Sequence, residues 1–155
     1  MKVIFLDFDG VITTYVSSWT LVPEKMDLVK KIIDATGAKI VISSAWRRKT
    51  LEDTFRFITD PNNHYVGSNP FSLCEYVVGQ TDRLYSENRF SGHVRRGDEI
   101  QKWINEHDVE NYIILDDEDD FLLNQYTHFV HTNLEIGITQ DDVDKAIEIL
   151  SNETL

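Results

Sequence analysis

Three short apolar runs restrict the fold of this chain more than any other feature: VIFL at 3–6, KIVI at 39–42 and YIIL at 112–115. Each is rich in β-branched residues, and apolar residues follow one another instead of alternating. That is the pattern of a strand covered on both faces. Between the first two runs the spacing becomes helical. Pro23 sits at a helix start with Glu24 behind it, Met26, Val29, Ile32 and Ile33 recur on one face, and Gly37 stops the helix. Strand, helix and strand in this order form a βαβ unit, so the sheet is expected to be parallel.

The remaining chain extends the pattern. Leu51, Phe55 and Ile58 suggest a helix, and Tyr76–Val78 a third strand. Pro61, Asn62, Asn63, Gly67, Asn69 and Pro70 are loop chemistry, and Ser86–Gly92 also reads as loop. Ile100, Trp103 and Ile104 give a helix after Gly97, and Tyr112–Leu115 a fourth strand; His128–His131 suggests a fifth. Val143, Ala146, Ile147 and Leu150 mark a last helix, with Thr139 as its N-cap and Asp142 three residues on. No repeat, linker or low-complexity segment interrupts the series.

In open parallel sheets, ligands bind beyond the carboxyl ends of the strands. Asp7 and Asp9 follow strand one, Ser43 and Ser44 follow strand two, and Asp116, Asp117 and Asp120 follow strand four. All three sets therefore fall on one sheet edge. Like charges this close repel, and burying them is costly without compensation. A divalent cation between Asp7 and the Asp116 group offsets both penalties, and a ligand set made only of oxygens suits Mg2+. The two carboxylates of the first motif can then divide labour, one attacking a phosphorus atom and the other moving a proton. Gly10 allows a sharp turn or close backbone approach behind the pair.

Taken singly, these features have plainer roles. A DFDG turn can carry two solvated aspartates, DDEDD can be a charged surface loop, and strand-end serines commonly satisfy backbone groups. Neither acidic stretch has the glycine and terminal glutamate of an EF-hand calcium loop. His128 and His131 lie three apart on an expected strand and so face opposite sides, which argues for packing or surface roles.

The net charge of −12, from 15 basic and 27 acidic residues, argues against broad adhesion to nucleic acid. It leaves room for local basic pockets, of which Arg47, Arg48 and Lys49 form one and Arg95 and Arg96 another. The single cysteine, Cys74, excludes an internal disulfide and a cysteine cluster for zinc. The apolar runs are too short to span a membrane or to form a signal peptide, so a cytoplasmic location is expected.

The series DFDGV, VISS, a basic residue before a helix, and YIILDDEDD resembles the haloacid dehalogenase (HAD) superfamily of phosphotransferases, over nearly the whole chain and in the right order. The resemblance implies a three-layer α/β/α sandwich with a mainly parallel, five-stranded Rossmann-like sheet, in a single domain over residues 1–155. It implies a Mg2+-dependent phosphatase working through an aspartyl-phosphate. Asp7 matches the nucleophile. Asp9 matches the acid/base and lends its backbone carbonyl to the metal shell. Asp116 and Asp120 match the metal-binding motif, with Asp117 as a further ligand or support. Either Ser43 or Ser44 supplies the phosphate-binding hydroxyl. The family's basic residue is normally lysine. Here Arg96 fills the place, with Arg95 as alternate, while Lys102 lies inside the helix.

TGAKIVISSAWR, GDEIQKWI, YIILDD and GIT are further similar to a small branch related to the phosphatase domains of nucleic-acid end-repair (Swiss Army Knife RNA repair) proteins, with Trp46 and Arg47 part of the likeness. Residues 11–38 and 48–95 leave no room for a large cap domain. An open site suits a bulky substrate such as a nucleic-acid 3′-phosphate end, with Arg47, Arg48 and Arg96 as phosphate contacts and Tyr15 and Trp19 as stacking groups. A small substrate, with the site closed by loop 60–75 or a partner chain, is the alternative. A receiver-type signalling module fits poorly, because its phosphorylated aspartate follows the third strand. A non-catalytic phosphate-binding role has no support in a chain that keeps both carboxylates.

Overall fold

The structure, a computed structural model, describes residues 1–84 and 94–152. Five strands, β1 (Lys2–Leu6), β2 (Lys39–Ile42), β3 (Val77–Gln80), β4 (Asn111–Asp116) and β5 (Phe129–His131), form one sheet in the order β3-β2-β1-β4-β5. All four pairings are parallel. The three apolar runs are its centre, and the other two strands, β3 and β5, are its edges. The expected loop at Ser86–Gly92 lies outside the described residues.

Helices cover both faces. The even-numbered residues of β1, Ile4 and Leu6, pack with Ile40, Ile42, Ile113 and Leu115 against α1 (Pro23–Thr36), α2 (Leu51–Thr59) and α4 (Gln140–Ser151). The odd-numbered residues, Val3 and Phe5, pack with Val41, Tyr112 and Ile114 against Ile100 and Trp103 of α3 (Arg96–Glu106). This is an α/β/α sandwich. The helix ends follow local chemistry. Gly37 takes a left-handed conformation (φ 74°) that closes α1, and the Thr139 hydroxyl accepts the Asp142 N–H at the start of α4. No cap domain interrupts the described residues. Instead a flap spans residues 11–22, tied by a bridge between Thr13 and Leu21. None of the described helices is long and apolar enough to cross a membrane.

Candidate active site

Strand register alone brings the first acids together. Leu6 pairs with Ile42 on one side and with Leu115 on the other. One step further along, Asp7, Ser43 and Asp116 stand side by side, each two residues beyond a side chain of the α3 face. The pleat therefore turns all three toward the N-terminus of α3, where Arg96 is the first helical residue. Its Nη1 lies 3.2 Å from Asp7 Oδ1 and 3.6 Å from Asp116 Oδ2.

Asp7, Asp116 and Asp117 each offer a carboxylate oxygen within 4.8 Å of the others. Asp7 and Asp116 are buried, with Arg96 as the cation between them. Burial and the neighbouring Asp116 charge push the Asp7 carboxyl well above the usual carboxylate range, with Arg96 opposing. Burial likewise raises Asp116 to about 6, against the pull of Arg96 and of the Glu118 N–H. An oxygen-only set with this excess of negative charge fits a divalent cation. Gly10 is required by the same packing. Its φ is +79°, and a Cβ placed there would sit 2.6 Å from Asp117 Oδ2.

The remaining sequence-derived residues separate into distinct settings. Ser44 Oγ accepts the Trp46 N–H, whereas Ser43 Oγ is buried and is the one such side-chain atom among the described residues with no hydrogen-bond partner. Asp9 is half-buried, and its Oδ1 accepts the Thr13 hydroxyl at 2.9 Å. Asp120 stands apart from the three clustered acids; its carboxylate accepts the Arg96 N–H at 3.1 Å. Arg95 is the exposed N-cap of α3 and does not line the cleft. Arg47 is buried. It pairs with Glu99 at 3.1 Å, donates to the Ser44 and Thr81 carbonyls, and bonds the Thr81 hydroxyl. Lys102 is bound to Asp82 and Glu106. His128 is buried against the Tyr112 ring, and the exposed His131 holds the Asp117 carbonyl at 2.7 Å through Nε2.

The acids open onto a cleft of about 560 Å³ with an aromatic wall. Trp46 stands edge-on to Phe57 and Tyr65, and Arg48 lies over the Phe57 ring at 3.5 Å. Trp19 faces the cleft from the flap, in a left-handed conformation (φ 62°) that bulky residues rarely adopt. Tyr65 belongs to the loop after α2, so that loop supplies part of the wall.

Sequence reasoning missed Thr13, Thr132 and Glu99. Thr13 orients Asp9, and its hydroxyl four residues beyond Asp9 was a readable signal. Thr132 donates to the Gly10 carbonyl at 2.7 Å and so ties the first motif to β5. Glu99 is visible only once α3 is docked.

A parallel α/β sandwich with a DxD pair just beyond its central strand, facing aspartates at the end of the next strand, defines a HAD-type domain. The family model for HAD domains in Swiss Army Knife RNA repair proteins matches residues 3–143, and the chain belongs to that family. No curated protein and no solved structure matches it.

Proposed function

We propose that this chain is a Mg2+-dependent phosphomonoester hydrolase acting through an aspartyl-phosphate on Asp7, with a nucleic-acid 3′-phosphate end as its substrate. The observation that carries the reading is the trio of Asp7, Asp116 and Asp117, with Arg96 paired to the first two, beside a Ser43 hydroxyl that has no hydrogen-bond partner among the described residues. The family membership supports the phosphatase chemistry, and the aromatic wall suits a nucleotide leaving group.

Asp7, Asp116 and Asp117 would hold the cation, which when bound supplies positive charge against the phosphoryl oxygens. Arg96 opposes protonation of Asp7 and holds its carboxylate in place, and its guanidinium takes phosphoryl oxygens. The Ser43 hydroxyl donates to another oxygen, which satisfies its own buried group. Asp7 Oδ attacks phosphorus as the ester oxygen leaves. Asp9, fixed by Thr13, gives that oxygen its proton and then, as a carboxylate, takes one from the water that cleaves the acyl phosphate.

The test is hydrolysis of an aryl phosphate with and without Mg2+, by wild type and Asp7→Asn, followed by a 3′-phosphorylated oligonucleotide. The expectation is metal-dependent turnover that falls by about 10³-fold or more in the variant, with the oligonucleotide preferred. Undiminished turnover in Asp7→Asn would overturn the mechanism. Equal or poorer rates on the oligonucleotide would overturn the substrate assignment.

A further inference from the structure

A second cavity, of about 720 Å³, adjoins the catalytic cleft and shares Arg48 with it. Its lining includes Lys49, Gln80, Thr81 and Arg83, with the buried Arg47 behind. In a chain of net charge −12 this concentration of cations is unexpected. Their state is equally informative. Arg48, Lys49 and Arg83 form no ion pair among the described residues, and Lys49 forms no hydrogen bond either. Asp82, the acid of this lining, is bound to Lys102 at 2.6 Å.

The cavity is also held in shape from behind. The Gln80 amide donates to the Arg48 carbonyl, the Arg48 N–H donates to Thr54 Oγ1, and Arg83 Nη2 donates to the carbonyls of Ala45 and Arg47. The chain that follows Ser43 is thereby stapled to the end of β3. Three cations with no ion pair among the described residues, carried on a backbone held in place, suit an anion, and arginine is well suited to phosphate.

We propose that the Arg48, Lys49 and Arg83 cavity binds a second phosphate of the substrate, the phosphodiester one nucleotide in from the terminal phosphate cleaved at Asp7. Arg48, on the wall between the two cavities, spans the two phosphates. This rests on the phosphatase reading but adds a length requirement to it. The site measures a strand, and a mononucleotide leaves half of it unused.

The test compares wild type with Lys49→Glu and with Arg83→Gln, which keeps a donor for the two carbonyls. Arg48 is left intact because it also lines the cleft. The substrates are an aryl phosphate, a nucleoside 3′-phosphate, a nucleoside 3′,5′-bisphosphate and a 3′-phosphorylated dinucleotide. Wild type should favour the dinucleotide over the nucleoside 3′-phosphate by about tenfold in kcat/KM. Each variant should lose most of that preference and about 0.7 of the salt slope, while turnover of the aryl phosphate stays within about twofold. A variant that slows both substrates alike, or neither, overturns the proposal. A gain confined to the bisphosphate overturns the strand assignment.

Anisotropy of a labelled 3′-phosphorylated hexanucleotide on Asp7→Asn protein, with and without Lys49→Glu, separates the two readings. Binding weakened by Lys49→Glu, in a protein whose wild type shows no turnover, leaves this site standing and removes the catalytic reading. Turnover with no preference for the dinucleotide and no effect of Lys49→Glu on binding does the reverse.

Discussion

Arg47→Met is the substitution whose consequence the structure sets most sharply. The guanidinium of Arg47 is buried and donates through Nε to the Ser44 carbonyl at 2.7 Å, through Nη1 to the Thr81 carbonyl at 2.9 Å, to the Thr81 hydroxyl and, at 3.5 Å, to the Asp82 carbonyl, and through Nη2 to Glu99 Oε1 at 3.1 Å. Methionine fills the volume of the stem and supplies no donor. Glu99, 8% exposed, then keeps the Leu84 N–H on its other oxygen and no ion pair among the described residues. Removing one partner of a buried ion pair costs about 3–5 kcal/mol, because the other charge is left uncompensated. The stranded Ser44 and Thr81 carbonyls act in the same direction, each by about 1–3 kcal/mol, but share the relaxation and do not add in full. The expected loss is therefore about 3–5 kcal/mol in urea unfolding at pH 7 followed by circular dichroism, and roughly 10 °C in Tm. Arg47→Met/Glu99→Gln removes the orphaned charge, so the double variant should regain at least about 1 kcal/mol over the single one. A single-variant loss under about 1 kcal/mol, or a double variant no better than the single, would refute the reasoning.

Two further predictions concern the acids. Folding raises the carboxyls of Asp7 and Asp116, the latter to about 6, so the folded state binds protons more tightly than the unfolded one. Stability from this source is fully present below about pH 4 and is lost as pH rises through about 6. Metal-free Tm should fall between pH 5 and pH 7, Mg2+ should restore more at pH 7 than at pH 5, and Asp116→Asn should flatten the metal-free profile; a Tm that rises across that window would contradict the burial argument. Gly10→Ala places a methyl on Asp117 at a left-handed backbone position. We expect a loss of about 1–2 kcal/mol in unfolding free energy and at least about tenfold weaker Mg2+ binding by calorimetry, whereas unchanged affinity would show that Asp117 does not take part.

The centre of the sheet was legible because β1, β2 and β4 are buried on both faces, so their sequences carry uninterrupted apolar signal. The edges were less so. The third strand, expected at Tyr76–Val78, begins at Val77 and runs through Gly79 and Gln80, residues with little strand preference; a Cβ on Gly79 would sit 3.2 Å from the Trp103 ring nitrogen. The fifth begins at Phe129 because His128 ends a 3-10 turn. The helix expected after Gly97 starts at Arg96, with Gly97 packed where a side chain would strike Leu122 and Gln125. In the site, the strand ends were enough to bring Asp7, the Ser43–Ser44 pair and Asp116 to one edge, while the register of the sheet was needed to choose Ser43. Periodicity was silent on Arg96, which reaches Asp7 across 89 residues, and on the Arg47–Glu99 pair across 52. Both depend on how α3 docks, and no local pattern records that.

The same docking explains how two aspartates two residues apart come to differ. Asp7 is the last residue held by the sheet. Its N–H is bonded to the Leu115 carbonyl, its side chain lies under α3, and its nearest charges are Asp116 and Arg96. Asp9 has already left the sheet. Phe8 between them turns into the opposite core against Trp46 and Phe71, and Asp9 is left half-buried at the mouth with a neutral hydroxyl as its partner. A buried carboxylate clamped by a cation cannot rotate freely, which suits a nucleophile. One at the mouth, oriented by a threonine and in reach of water, suits proton transfer in both directions. The glycine that follows lets the chain pass over Asp117 without displacing it. DFDG thus places two like groups in unlike surroundings within four residues, and the proposed roles follow from the surroundings.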